Sequence, residues 1–437
     1  MSVIAPNFKL SKFIQSLISD IVWALMIMTL IGLPIIMMVL FFIPMPVIDG
    51  ELLTPFLAFT YLADPSRLLP IVQAFMTTDM FKVMAFPGFG FAALLAAGTI
   101  FVERKMLAKL QLRVGPFYCG KFEGILQLMG DGLKLISKEI IIPAKADKPI
   151  FWAAPVLFVA SAAAFVALIP VAPGWVVADV DMGLLGVFAV IGFFPIVTIL
   201  SAWSANSKFP FIGGIRALFQ MVSFEIPLIL SLLGVVMLTG TLNLSEIAAS
   251  QSSFPWIVFL PVGAIVFFIT MLAELERIPF DLPEAESEIV AGWLTELSGM
   301  MYGLVQLGTY LKLYAFAGLF VVLFLGGWNG PMLVPPFPAE IITHGMEMGP
   351  VTLKIGGLES LLSQVITQEM LNGTLWFVLK TVGVIFFILL PRGVFPRIRV
   401  DMLLNLGWTK LIGLAFVNIF IALGLLYAGV LGPGGLQ

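Results

Sequence analysis

The sequence predicts an all-α, polytopic transmembrane helical bundle of about nine spans, with an amphipathic helix on its cytoplasmic side. Three observations carry that reading. Hydrophobic residues make up 60% of the 437 residues and charged residues only 11%, where a soluble domain holds about a quarter charged residues. Mean hydropathy is +1.07. The apolar residues also gather into runs of about 20, the length that crosses a hydrocarbon core.

In chain order the candidate spans lie at 18–43, 84–106, 150–171, 183–203, 222–240, 256–275, 300–328, 373–391 and 407–432. Segment 1–20 is polar and carries Lys9 and Lys12. The apolar run after it is longer than the h-region of a cleavable signal, so it reads as a span. Lys and Arg concentrate at 104–148, 204–221 and 392–410, and Arg277 joins them. With about nine spans these segments and the N-terminus share one side, and the opposite loops hold little beyond Arg67, Lys82 and Lys354. Excess Lys and Arg marks the cytoplasmic side. The N-terminus and the loops at 104–149, 204–221, 276–299 and 392–406 are therefore expected in the cytoplasm, and the C-terminus outside the cell membrane.

Composition also excludes functions. A single Cys119 and a single His344 cannot build an iron–sulfur cluster or a zinc site, and no disulfide can close within the chain. A net charge of -3 gives no footprint for nucleic acid. No covalent cofactor is expected, and any electron carriers belong to partners.

The loop 104–149 is too long for a turn. Phe122, Ile125, Leu126, Met129, Leu133, Ile136 and Ile140 recur at helical spacing, with Gln127, Asp131, Lys134 and Lys138 on another face. Such a helix lies in the membrane interface, either as an anchor or as one wall of a site for an amphiphilic ligand. Before it, Glu103-Arg104-Lys105 closes a span, and Gln111, Arg113, Gly115 and Pro116 follow. Snorkelling cations at a span end are ordinary; a glutamate in the same turn is less so.

A second polar group holds Trp203, Asn206, Lys208, Arg216, Gln220, Ser223 and Glu225. Trp203 reads as an interfacial anchor. Arg216 and Gln220 are i,i+4 partners on one helical face. Glu225 falls inside a span, just before Pro227, where ionisable groups mark function.

The third group is the stretch from Arg277 to Glu288. Counting Glu276, it holds five acidic residues and two prolines between apolar segments. Asp281 followed by Glu284 reads as a capping-box variant at a helix N-terminus. That does not account for Glu286, Glu288 and Glu296, which continue toward the next span. Closely spaced carboxylates cannot all ionise cheaply, so some hold protons near neutral pH and can relay them. No Ser–His–Asp set, Walker loop or dinucleotide fingerprint accompanies them. Gly88, Gly90, Gly213 and Gly214 read as packing or loop glycines.

These motifs together resemble the quinone-site membrane component of respiratory complex I, its H-type subunit. The resemblance is carried by Glu103-Arg104-Lys105 with Gln111-Leu112-Arg113-Val114-Gly115-Pro116, by Pro173-Gly174-Trp175-Val176-Val177-Ala178-Asp179, and by Asn206-Ser207-Lys208 with Arg216, Gln220 and Ser223-Phe224-Glu225. It continues through Arg277, Pro279-Phe280-Asp281, Pro283-Glu284-Ala285-Glu286 and Glu288 to Gly326-Gly327-Trp328 with Gly330-Pro331. The chain departs from the family in five places, one of them Glu296-Leu297-Ser298 where the family has Glu-Tyr-Ser. It has an N-terminal extension (1–83) with an extra span and an external loop, and an insertion near 336–372 within the family-like membrane domain (84–437). Phe117-Tyr118-Cys119 follow Gly115-Pro116 where the family has an Asn-Arg pair. Thr309-Tyr310 stands where the family has Glu-Tyr, with Lys312 nearby. These departures suggest a divergent member, archaeal or deazaflavin-linked.

The resemblance implies a subunit with quinone as substrate and no redox centre of its own, in a proton-translocating oxidoreductase. Arg104, Arg113, Asp131, Lys134, Arg216, Gln220, Arg277 and Phe280 would line a quinone tunnel. It would lie between spans 84–106 and 300–328 and the helix at 121–140. Glu225, Asp281, Glu284, Glu286, Glu288 and Glu296 would begin a proton path. Partners would be the peripheral quinone-site and iron–sulfur subunits, small membrane subunits, antiporter-like subunits and the lipid bilayer. The alternatives are a membrane subunit of an energy-converting hydrogenase and a secondary transporter; no internal repeat of the kind common in transporters is present.

Overall fold

Lipid offers a backbone no hydrogen-bond partners, so a long apolar run satisfies its own amides by becoming a helix. The computed structural model follows that rule. It describes residues 47–48, 51–52, 79–119, 124, 126–331 and 368–428. Among them strand pairing is limited to a two-residue ladder, Val47–Ile48 with Glu51–Leu52, and one bridge between Ala172 and Trp175.

The main helices are α1 (Phe89–Leu110), α2 (Gln127–Ser137), α3 (Lys148–Ala167), α4 (Gly183–Ile191), α5 (Phe193–Ser204), α6 (Lys208–Thr239), α7 (Pro261–Glu274), α8 (Gly299–Phe324), α9 (Gln368–Leu389) and α10 (Ile412–Tyr427). Among the described residues 7 helices are long and apolar enough to cross a membrane, α4 and α5 counting as one from Gly183 to Ser204. The apolar α7 is shorter. Together they occupy the expected spans from 84–106 onward. The expected span 18–43, most of the loop 44–83 and most of the insertion 336–372 lie outside the described residues.

α8 is the axis of the bundle. Every residue from Leu311 to Phe324 is buried, and α1, α3, α7 and α9 pack around it. A helix enclosed on all sides is ordinarily apolar all round; Lys312 is the charged exception. The α3–α8 contact is close because of Gly308, where a Cβ would come within 2.6 Å of Phe158 Cδ1.

Two segments differ from expectation. Residues 208–221, expected as a loop, form the first turns of the 32-residue α6. Its polar residues resemble a loop in composition, but no breaker interrupts them. Pro210 falls in the first turn, where a missing N–H costs nothing, and Gly213, Gly214 and Ala217 are buried against protein.

The acidic stretch is not the start of a span. After α7 ends, the chain turns at Glu276 (φ 51) and wraps the end of the bundle through a short helix, Glu286–Ile289, and a 3-10 turn, Gly292–Leu294. The capping-box reading of Asp281 and Glu284 therefore fails. Asp281 Oδ2 instead accepts a hydrogen bond from Arg397 Nη2 at 3.0 Å, because an arginine brought over by the chain outcompetes a local backbone amide for a carboxylate.

The amphipathic helix is present as α2. The described helix covers Gln127–Ser137, within the expected Phe122–Ile140. None of its residues is buried. Asp131 turns toward the bundle, and Met129, Leu133 and Ile136 are exposed.

Candidate functional site

A cavity of about 720 Å³ opens between α1, α2, α8 and the start of the acidic loop. One face of α1 forms its long wall. Ala93, Ala96, Ala97 and Ile100 come first, then Glu103, Arg104 and Leu107, spaced three and four apart so that they stack along one side. At 1.5 Å per residue this wall runs about 21 Å. It grades from small and apolar to charged. Tyr302, Gly303, Gln306 and Tyr310 of α8 face it, and Asp131, Gly132 and Lys134 of α2 close the third side.

The charged end is organised around Glu103, which is only 2% exposed. Its Oε1 accepts hydrogen bonds from Arg277 Nη1 at 2.7 Å and from Arg392 Nη1. Its Oε2 accepts one from the Tyr310 hydroxyl at 2.8 Å. The Arg277 guanidinium also lies 5.1 Å from the centre of the Tyr310 ring, within cation–π range. A carboxylate buried this deeply is tolerable because its partners are charged and its lone pairs are filled. Burial opposes the charge on Arg277, but Glu103 and then Tyr310 outweigh it and hold the guanidinium above its ordinary value.

A second ion pair joins α1 to α2. Arg104 Nη1 donates to Asp131 Oδ2, Gln127 Nε2 donates to Asp131 Oδ1 at 3.1 Å, and Lys134 Nζ lies 3.8 Å away. Burial works against the Asp131 charge, yet the bonds from Arg104 and Gln127 hold its carboxyl below the usual range.

The loop contributes Glu276, Asp281 and Glu284 to the lining. Glu276 Oε1 is sealed from solvent without a hydrogen-bond partner. Burial, and after it the charge of Glu284, pushes the Glu276 carboxyl up to about 8. Burial also raises Asp281, with Arg397 offsetting part of the effect.

The structure thus brings Arg104, Asp131, Lys134, Arg277, Asp281 and Glu284 to one cavity. Other expected site residues lie elsewhere. Arg113 is exposed in the turn after α1. Arg216, on α6, pairs with the exposed Glu288 at 2.5 Å. Gln220 is buried and donates through Nε2 to the carbonyls of Ala273 and Phe280, both at 2.7 Å. Phe280 packs on Phe224 with ring centres 5.4 Å apart. These two residues fasten the acidic loop to α6 rather than line the cavity. Glu225 is half-buried beside Gly192, within electrostatic reach of Glu274. Glu296 is half-buried in the turn before α8. Glu286 starts the short helix, and its side chain is outside the described ones.

Sequence reasoning left out Arg392, Tyr310, Glu276 and the pair Glu274–Lys312 as site residues, and it noted Glu103 only as unusual. The signal for Glu103 was its place inside a basic turn. For Arg392 no local signal exists, since its partner is 289 residues away.

An all-helical bundle with a side cavity that ends in a buried arginine–carboxylate cluster defines a polytopic membrane protein with a chamber graded from apolar to charged. Residues 83–423 match the model of the NADH dehydrogenase family, and the chain belongs to that family. It is similar to proteins named as the H subunit of NADH-quinone oxidoreductase. Those of Bacillus cytotoxicus and of Bacillus thuringiensis subsp. konkukian are each 40% identical over 342 residues, covering 78% of this chain and 90% of the relative. That of Bacillus anthracis is 39% identical over the same length. The chain is accordingly a complex I membrane subunit of the H type.

Proposed function

We propose that the cavity receives a quinone, and that this chain couples quinone reduction to proton movement within a complex I-like oxidoreductase. The observation that carries the reading is the grading of the cavity wall. The isoprenoid end of a quinone suits Ala93, Ala96, Ala97 and Ile100, and its carbonyls suit the cluster of Glu103, Arg277, Arg392 and Tyr310. The names of the relatives support the same substrate.

Reduction places negative charge on the headgroup. Arginines held in advance by Glu103 stabilise such charge without reorganising. Glu276, raised to about 8, keeps its proton at neutral pH and can give it up to a reduced headgroup. A new charge about 4 Å from a carboxylate, at an effective dielectric near 20, is worth about 4 kcal/mol, or roughly three pKa units. That is enough to switch the protonation of the groups behind the cavity. Glu276, Asp281 and Glu284 begin this path in our reading, and Glu225 lies deeper. Arg216, Gln220, Phe280 and Glu288 position the loop.

The electron donor and iron–sulfur clusters would sit on peripheral partner subunits above the charged end, with small membrane subunits and antiporter-like subunits alongside. That end faces the cytoplasm in this reading, and the C-terminus lies outside the cell membrane. Residues 1–83 form an extension and 84–437 the family domain.

The test is steady-state quinone reduction by the assembled complex carrying Ala97→Phe, which fills the apolar part of the cavity, or Arg277→Met, which removes a headgroup donor. The expected results are a raised quinone KM for the first and a lowered kcat for the second. Wild-type kinetics in both variants would refute the assignment.

A further inference from the structure

The enclosed stretch of α8 carries one charge, Lys312, 2% exposed. Its Nζ lies 3.6 Å from Glu274 Oε2, donates to the Glu274 carbonyl at 2.6 Å and stands 4.4 Å from the centre of the Phe194 ring. Glu274 is 1% exposed, and neither carboxylate oxygen accepts a hydrogen bond. A buried ion pair offsets its desolvation only when its geometry is close and its remaining lone pairs are filled. This pair meets neither condition. It is a poor staple, and its two partners are poised to exchange a proton.

The surroundings give that exchange a direction. Two residues beyond Glu274, Glu276 lines the cavity beside Glu284, outside ion-pair contact with Lys312 but within its electrostatic reach. Glu274 is in turn within reach of Glu225, which lies beside Gly192. The aromatic faces of Phe194 and Phe316 enclose the ammonium. Thr309, three residues before Lys312, lines the cavity with a side chain that cannot ionise. The carboxylates at the cavity and those inside the bundle therefore flank a single amine on a flexible stem.

We propose that Lys312 passes protons between Glu276 at the cavity wall and Glu274 inside the bundle. The proposal rests on the coupling function argued above. In the first transfer the Lys312 ammonium gives a proton to the Glu274 carboxylate; one N–H bond breaks, one O–H bond forms, and both groups become neutral. In the second, the long Lys312 side chain swings toward the cavity wall and its amine lone pair takes the proton of the protonated Glu276; that O–H bond breaks, the ammonium re-forms, and Glu276 is left as carboxylate. One proton has moved inward, and Lys312 has returned to its starting state. Glu276 is suited to the role of donor because it holds its proton at neutral pH.

Arginine separates a relay from a mere counter-charge, because a guanidinium keeps its charge and does not release its proton in a protein. In the assembled complex, reconstituted in closed vesicles, protons translocated per quinone reduced are measured for wild type, Lys312→Arg and the neutral pair Glu274→Gln/Lys312→Met. The expected result is loss of most of the ratio in both variants, because arginine does not release its proton and methionine carries none. The double variant buries no charge, so it assembles even where the bulk of arginine does not fit. A wild-type ratio in either variant overturns the relay. A wild-type complex that reduces no quinone overturns the function proposed for the cavity instead, so the two failures are distinguishable.

Discussion

Replacing Glu103 with glutamine tests the charged end of the cavity most directly. The change keeps the shape and removes only the charge. Both arginines donate to Oε1 and Tyr310 donates to Oε2. An amide can place its carbonyl toward the arginines and its NH2 toward Tyr310, whose hydroxyl can turn to accept. No hydrogen bond need be lost. The two arginine bonds pass from charge-to-charge to charge-to-neutral, the Tyr310 bond loses its charged partner, and Arg277 and Arg392 lose their shared counter-ion in a site only 2% exposed at Glu103. Weakening three bonds by about 0.7–1 kcal/mol each costs about 2–3 kcal/mol. Expressed at the reacting headgroup, about 2 kcal/mol lowers kcat/KM roughly thirtyfold. Glu103→Ala would cost more, about 3–5 kcal/mol, because the arginines lose every acceptor there. The assays are the thermal midpoint of the purified complex and its kcat/KM for quinone. An E103Q complex with both at wild-type values would refute the claim that Glu103 preorganises the arginines.

Two further outcomes are expected. The Glu276 carboxyl is raised from 4.5 to about 8, so the folded state holds that proton more tightly than the unfolded chain does. Its contribution to stability is full below about pH 4.5, declines as the pH rises, and is gone above about pH 8. Thermal midpoints of E276Q across that window should therefore fall less steeply than those of wild type; parallel curves would show that Glu276 titrates normally. In Gly308→Ala the new Cβ meets Phe158 Cδ1 at 2.6 Å, which should destabilise by about 1–3 kcal/mol. Phe158→Leu in the same chain should recover part of the lost midpoint, and a neutral G308A would mean that α3 and α8 are not in register as described.

The spans were legible because apolar runs of this length admit one structure. The lower end of α6 was not, since Lys208, Arg216 and Gln220 look like a loop to any reading of hydropathy. Lys208 is exposed, Arg216 pairs with Glu288, and Gln220 is buried and finds its acceptors on Ala273 and Phe280. Asp281 and Glu284 matched a local capping pattern, but the partner that decides the matter for Asp281 is Arg397, 116 residues away. The two-helix walls of the cavity followed from the family resemblance and from the amphipathic pattern of α2. Its charged cap did not. Arg392 counts as one more basic residue beside a span until the fold sets it on Glu103.

The cap also constrains how the protein is made. Glu103 meets Arg277 across 174 residues and Arg392 across 289. A ribosome thus completes α1, with its glutamate two turns from the helix's C-terminal end, long before either arginine has been synthesised. Until then the glutamate must stay hydrated or hold a proton, and the chamber has no floor. A nascent chain released before Arg392 would insert most of its helices correctly and still lack a finished site. Quality control that senses only whether the helices made so far have inserted would pass it; control that senses the closed chamber would not.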